Sequence, residues 1–197
     1  MLFRSNALLI NSGISEKFTT EVVEEVNKIS DNIQHEIVNR KDLRNLNIIT
    51  IDGEDAKDLD DAVYVEKSEN GYKLLVSIAD VSFYVKEGTE LNKEAMKRGN
   101  SIYLVDRVVP MLPRKLSNNL CSLNPNEDKL TFTIEMHFDD KGKLMKNDFY
   151  RSVINSKSRM TYTNVNKIID SEEETLSKYS PISKMVNEML ELSKLLR

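Results

Sequence analysis

The sequence is poor in the residues that usually punctuate or staple a chain. Its 197 residues include one cysteine, two histidines, four prolines, six glycines and no tryptophan. A single cysteine excludes a disulfide framework and any zinc site built on paired cysteines, and two histidines add little to that. So few prolines and glycines leave no flexible linker and no clear internal boundary, and no repeat is visible. No run of 18 apolar residues occurs, which excludes a membrane-spanning helix. Met1 to Gly13 carries one arginine, a short apolar patch at Ala7–Ile10 and no small-residue cleavage site, so it reads as neither signal nor anchor. A cytoplasmic protein with no membrane partner is expected. Neither sign of charge dominates: 28 Lys and Arg stand against 32 Asp and Glu, a net charge of −4. That balance argues against a basic coat protein for nucleic acid, while leaving room for an enzyme whose acidic cluster offsets basic residues elsewhere. What is present, 40% hydrophobic and 30% charged residues, suits a folded domain that buries roughly 70% of its unfolded surface.

The periodicity predicts an α+β fold with a mixed, largely antiparallel sheet, two hairpins and peripheral helices. Val22, Val26 and Ile29 have helical spacing over Thr20–Ile29. Ser30 to Asn45 is polar and reads as a connection with a turn or two of helix. Ile48, Ile49 and Ile51 form a short strand running into Asp52. Ala62–Lys67 and Tyr72–Ala79 are strands joined at Ser68-Glu69-Asn70-Gly71, where Asn-Gly signals a hairpin because both residues tolerate positive φ. Thr89 caps a helix from Glu90 to Arg98 that stops at Gly99. Ser101–Val109 is extended, and Met111–Asp128 fits no period and reads as a long loop. Thr131–Phe138 alternates, with Phe132, Ile134, Met136 and Phe138 on one face. The Asp139–Gly142 turn leads into a second strand over Leu144–Ser156, and Thr163–Ile169 is a short helix. A last helix is expected to start with Ser180 as N-cap and Pro181 as first helical residue. Its apolar stripe of Ile182, Met185, Val186, Met189, Leu192 and Leu196 needs a covering surface. Without one, Met185, Met189, Leu192 and Leu196 would be exposed and the chain would self-associate.

The chemistry concentrates in one segment, Asp52 to Asp61, which holds six carboxylates and one lysine in ten residues. Crowded carboxylates repel one another, and partial burial between apolar strands raises that cost. Full solvation relieves it, and so does a bound cation. Hard oxygen ligands near a core suit Mg²⁺ or Mn²⁺. Asp58 and Asp60 share one face of an extended segment, Asp61 points the other way, and Asp52 ends the preceding strand. Gly53 would give the intervening loop freedom to fold the two ends together. Other readings remain open at this point: a solvated acidic loop, or an Asp-x-Asp nucleotide-sugar motif at Asp58 and Asp60. An EF-hand fails, since the sixth position from Asp52 is Lys57 and the bidentate Glu is absent. No P-loop or dinucleotide glycine motif exists. Cys121, His35 and His137 stand in no motif.

The run Thr50-Ile51-Asp52-Gly53-Glu54-Asp55-Ala56-Lys57-Asp58-Leu59-Asp60-Asp61-Ala62-Val63 resembles the catalytic signature of the ribonuclease II and ribonuclease R family, the RNB domain. Three further blocks agree in order. The first is Ser77-Ile78-Ala79-Asp80-Val81-Ser82-Phe83-Tyr84-Val85. The second runs from Arg98-Gly99-Asn100-Ser101-Ile102-Tyr103-Leu104 through Val108–Pro113 to Leu116–Pro125. The third is Arg159-Met160-Thr161-Tyr162-Thr163-Asn164-Val165. The resemblance covers Asp42 to Ile169, with residues 1–41 similar to the segment that precedes the domain in ribonuclease R. It implies residues 42–197 to be the N-terminal part of an RNB-type catalytic domain cut short at its C-terminal end.

The resemblance also implies an activity: Mg²⁺-dependent 3′-to-5′ exoribonuclease cleavage of single-stranded RNA to 5′-mononucleotides, with Mn²⁺ able to substitute. By resemblance, Asp52, Asp58 and Asp61 hold metal, and Asp60 is the catalytic residue whose loss abolishes cleavage. Tyr103 stacks on a base near the 3′ end and Tyr162 lies close to the scissile nucleotide. DNA is not expected as the main substrate, and the parent protein is expected to be monomeric. Two basic stretches, one with Lys97, Arg98, Arg107, Arg114 and Lys115 and one with Lys141, Lys143, Lys146, Arg151, Lys157 and Arg159, could follow an RNA backbone. The later family block, with a further stacking aromatic and an arginine near the scissile phosphate, is absent. The segment alone is therefore expected to be inactive, and the competing reading is a catalytically incompetent RNA-binding or metal-binding fragment.

Overall fold

The computed structural model describes residues 2–197, with side chains from Ser5 onward. In chain order the elements are α1 (Leu2–Asn11), α2 (Thr20–Lys28), α3 (Gln34–Ile37), β1 (Lys41–Asp42), β2 (Ile49–Asp52), β3 (Asp61–Ser68) and β4 (Gly71–Ala79). They continue as α4 (Val81–Tyr84), α5 (Glu90–Arg98), β5 (Ile102–Tyr103), β6 (Val108–Val109), β7 (Asp128–Phe138) and β8 (Leu144–Asn155). The last are β9 (Ser158–Thr161), α6 (Tyr162–Ile169), α7 (Glu173–Lys178) and α8 (Ser180–Leu195). Among the described residues no helix is long and apolar enough to cross a membrane.

These elements form two compact units. One contains residues up to Asp31 together with Val81–Leu120; the other contains Asn32–Asp80 and Cys121–Arg197. In the first, α2 packs on α5, each helix burying two apolar residues: Val22 and Val26, Leu91 and Ala95. Thr19 and Thr89 cap their helices by accepting the backbone N–H of Val22 and Asn92, and Gly99 ends α5 at φ +75°. Three of the five residues of the first basic stretch, Lys97 to Lys115, are committed to the fold itself. Lys115 donates to the carbonyls of Val26, Asn27 and Ile29 at the end of α2. Arg98 pairs with Glu94, donates to Pro110 O and Lys17 O, and stacks on Phe18. Arg107 pairs with Glu16 and Asp106.

The second unit is built on a seven-stranded sheet in the order β1-β8-β7-β4-β3-β2-β9. The two outer pairs, β1–β8 and β2–β9, are parallel, and the others are antiparallel. Both expected hairpins are there. In the β3–β4 hairpin only Gly71 takes a positive φ, +132°, and Asn70 does not. A side chain at Gly71 would collide with the backbone of Phe138, the last residue of β7, and of Asp139 just after it, so the close approach demands glycine there. Residues 158–161, without a sequence period of their own, form β9 by pairing with β2, and the segment after Met111 contains a π-helical turn at Leu116–Leu120.

Helices α6 and α8 cover one sheet face over Ile49, Val65, Tyr72 and Met160, bringing Ile168, Ile182, Met185, Val186 and Leu192 into the same core. The stripe of α8 is therefore buried within the chain, Met189 partly so, and only Leu196 stays exposed. This overturns the expectation of a bare helix and removes the α8 stripe as a ground for self-association. Tyr179, not Ser180, occupies the N-cap and makes no side-chain cap bond; Pro181 sits in the first turn, where no N–H is needed.

The alternation of β7 is real but inverted in burial. Phe132 and Ile134 lie on an open part of the sheet, while Thr131 and Thr133 are fully buried on the other face. Hydroxyls there satisfy one another: Ser77 with Thr133 at 2.7 Å, Thr133 with Ser152 at 2.6 Å and Thr131 with Ser152 at 2.7 Å. A buried hydroxyl with a partner costs little, so a threonine face can be the inner one. Beside it, Glu135 accepts from Tyr150 at 2.6 Å and from Lys41 and His137 at 2.9 Å each. Burial works against the Glu135 carboxylate, but these bonds and the Lys41 charge outweigh it and hold its pKa at about 2. A depressed carboxylate pKa stabilises the fold above the unfolded value near 4.5, and the contribution is lost as pH falls towards about 2. The stability gap between the parent and Glu135→Gln, measured by urea unfolding, is expected to be constant near neutrality and to narrow between those limits. A gap that does not change with pH would contradict the assignment.

Candidate metal and RNA site

The segment from Asp52 to Asp61 joins neighbouring antiparallel strands, so its two ends lie at one end of the sheet. Asp52 closes β2, in register with Thr161 of β9, and Asp61 opens β3, in register with Ile78 of β4. Between them Leu59 is buried to 1% exposure and acts as the anchor. Its N–H donates to Ser122 Oγ at 3.1 Å, its carbonyl accepts from Leu123 N at 2.7 Å, and Ser122 Oγ donates to Lys57 O at 2.9 Å. Asp60 O accepts from Ala79 N at 2.9 Å. Of the residues flanking the buried Leu59, Asp60 is exposed and Asp58 is half-buried. Gly53 is not forced to be glycine: its φ is ordinary and a Cβ there would meet nothing within 4 Å.

The electrostatics are those of crowded carboxylates. Asp52 is pushed above its ordinary pKa by burial and by the charges of Asp61, Asp60 and Asp58, with Arg159 opposing them. Asp61 is pushed up by desolvation at the strand end and by Asp60. Asp52 Oδ2 is buried and has no hydrogen-bond partner among the described residues. An orphaned carboxylate oxygen beside further carboxylates is a donor set of the kind a hard divalent cation takes. Among the described residues no three acidic, histidine or cysteine side chains are gathered closely enough to surround one ion. The fit is therefore one of donor chemistry and shared position at the sheet end, not of an assembled ligand shell.

The two tyrosines fall in different units. Tyr162 begins α6 directly after Thr161, the register partner of Asp52, and its side chain is exposed. Thr161 also caps α6 by accepting Asn164 N at 3.2 Å. The strand that neighbours Asp52 therefore delivers Tyr162 to the same end of the sheet. Tyr103 lies on β5 in the first unit and is also exposed. Arg159, read from sequence as part of a basic RNA-tracking run, has another use: its guanidinium bonds the acidic loop. Its signal was only its place beside Met160 and Tyr162 in a family block. Cys121 is buried, which pushes its thiol up to about 12 and leaves it protonated at neutral pH.

Comparison with known proteins gives one consistent match. The model of the RNB domain matches residues 40–197. Ribonuclease R of Thermotoga maritima is 49% identical over 183 residues, spanning 92% of this chain and 26% of the relative. Ribonuclease R of Escherichia coli is 48% identical over 158 residues, 80% of this chain and 19% of the relative. Among solved structures, Mycoplasma genitalium RNase R in complex with double-stranded RNA superposes with a TM-score of 0.88 at 35% identity. That match covers 98% of this chain and 34% of the other. The chain thus spans about a quarter of the length of the curated relatives it matches.

Proposed function

This chain belongs to the RNB domain family, and from that membership we propose that it carries the carboxylate part of the catalytic centre of a 3′-to-5′ exoribonuclease. The substrate is single-stranded RNA, and the reaction is metal-dependent phosphodiester hydrolysis to 5′-mononucleotides. The observation that carries this reading is the convergence of Asp52 and Asp61, with Asp58 and Asp60 between them, on one end of the sheet, with an unpartnered buried oxygen on Asp52.

Asp52, Asp58 and Asp61 would hold Mg²⁺ or Mn²⁺. Such an ion, when bound, supplies positive charge opposite the charge that develops on the attacking and leaving oxygens of an in-line displacement. The chain's own residues do the rest. The Leu59 anchor fixes the backbone between Asp58 and Asp60, so neither carboxylate has to be ordered at the moment of reaction. Asp60 stands next to the ligands and acts on the reacting phosphate's surroundings. Tyr162 offers an exposed ring beside Asp52 for the terminal nucleotide. Tyr103 offers a second ring, and stacking accepts any base, as an exonuclease requires.

The test is degradation of 3′-labelled single-stranded RNA by a full-length RNB protein carrying this segment, with Mg²⁺ and with EDTA. Mononucleotide release with Mg²⁺ and none with EDTA is expected; release in EDTA contradicts the metal reading. In the same assay Tyr103→Ala is expected to weaken RNA binding by about 1–3 kcal/mol and to change the length of the final product while hydrolysis continues. Unchanged affinity and product length would make Tyr103 a packing residue.

A further inference from the structure

The loop that separates Asp52 from Asp58 is not held by its own side chains. Residues 53–56 form a turn closed by Ala56 N donating to Gly53 O at 3.2 Å. Three carbonyls of this turn converge on one nitrogen of a residue from a different strand: Arg159 Nη2 donates to Gly53 O at 3.1 Å, Glu54 O at 2.6 Å and Ala56 O at 3.1 Å. Arg159 lies on β9, in register with Thr50 of β2, two residues before Thr161, the register partner of Asp52. Its Nε is buried with no hydrogen-bond partner among the described residues. The bonding of this half-buried guanidinium is thus concentrated at its Nη2 end, on the turn.

We infer that Arg159 is a positioning residue for the divalent-cation site: it fastens the 53–56 turn to β9 so that Asp52 and Asp58 are presented to one ion. The inference rests on the metal reading above. Lysine keeps the charge but is not an equivalent: its shorter stem ends before the place where Arg159 Nη2 meets the three carbonyls, and its flexible ammonium lacks the planar group that holds that nitrogen in position. Groups that orient ligands without touching the metal commonly change affinity by about 10- to 100-fold when removed.

The sign of the effect separates positioning from simple charge. Arg159 is a cation close to a cation site and, as a charge alone, repels the ion. If charge were its whole role, Arg159→Gln would tighten Mn²⁺ binding and Arg159→Lys would leave it unchanged. As a positioning residue, both substitutions weaken it. The experiment is titration calorimetry of Mn²⁺ into this chain and into Arg159→Gln and Arg159→Lys, with melting in EDTA as the check on folding. Expected is saturable binding by the parent, with both variants folded and weaker by about 10-fold or more. Equal or tighter binding by folded variants overturns the inference while leaving the metal site standing. No saturable binding by the parent overturns both. Variants that do not fold overturn the inference as well, since Arg159 would then be a residue of the core.

Discussion

Asp60→Asn, made in a full-length RNB protein carrying this segment, is expected to lower the rate of RNA hydrolysis by about 10²–10³-fold or more, with RNA affinity unchanged or slightly raised. The substitution nearly keeps shape and removes one charge. Asp60 is exposed at the outer side of the Leu59 anchor, and its backbone carbonyl, bonded to Ala79 N, is unaffected by the change. The fold should therefore tolerate it. A carboxylate beside RNA phosphate repels in the ground state, so its loss cannot weaken binding through charge. An interaction needed only as the phosphodiester reacts lowers turnover and leaves binding alone. A variant that degrades RNA at close to the parent rate would contradict the assignment of Asp60, whatever the status of the metal ligands.

The largest effect on stability is expected at Arg40→Met. Arg40 and Asp80 form a buried ion pair at 2.7 Å, with side chains 1% and 4% exposed. The guanidinium also pairs with Glu36 at 3.3 Å and donates to Thr131 O at 3.2 Å. Removing it leaves a buried carboxylate and a buried carbonyl without this donor. Breaking one partner of a buried pair costs about 3–5 kcal/mol, a large share of the stability of an ordinary domain. Replacing both partners is less damaging, because no uncompensated charge remains. Urea unfolding of Arg40→Met, of Asp80→Leu and of the double variant measures the three values. The double variant is expected to be more stable than the sum of the two single changes implies. A loss below about 1 kcal/mol for Arg40→Met would contradict the burial of the pair.

The fold was legible in sequence wherever local chemistry and tertiary context agreed. Thr89 and Gly99 bound α5 at the expected residues because capping is decided within one turn of helix. The β3–β4 and β7–β8 hairpins follow from their turns in the same way. What was not legible depends on partners distant in the chain. Strand β9 is four residues long and exists because β2 offers it an edge. Phe132 and Ile134 look like core residues by composition, yet the threonine face is inner because Ser77 and Ser152 supply hydroxyl partners from neighbouring strands. The stripe of α8 was plain, while the sheet that covers it is assembled from residues as far back as Ile49. In the candidate site the aspartates and Tyr162 announce themselves through one dense segment and one family block. Arg159 does not, since nothing in a charge pattern distinguishes an arginine that tracks phosphate from one that gathers three carbonyls.

The central claim is that the Asp52–Asp61 segment binds a divalent cation and is not a solvated acidic loop. Titration of Mn²⁺ into this chain, compared with Asp52→Asn plus Asp61→Asn in the same molecule, tests it most directly. The account predicts saturable binding by the parent that is lost in the double variant. Equal heats from both would mean that the carboxylates bind only as diffuse charge, and would contradict the claim.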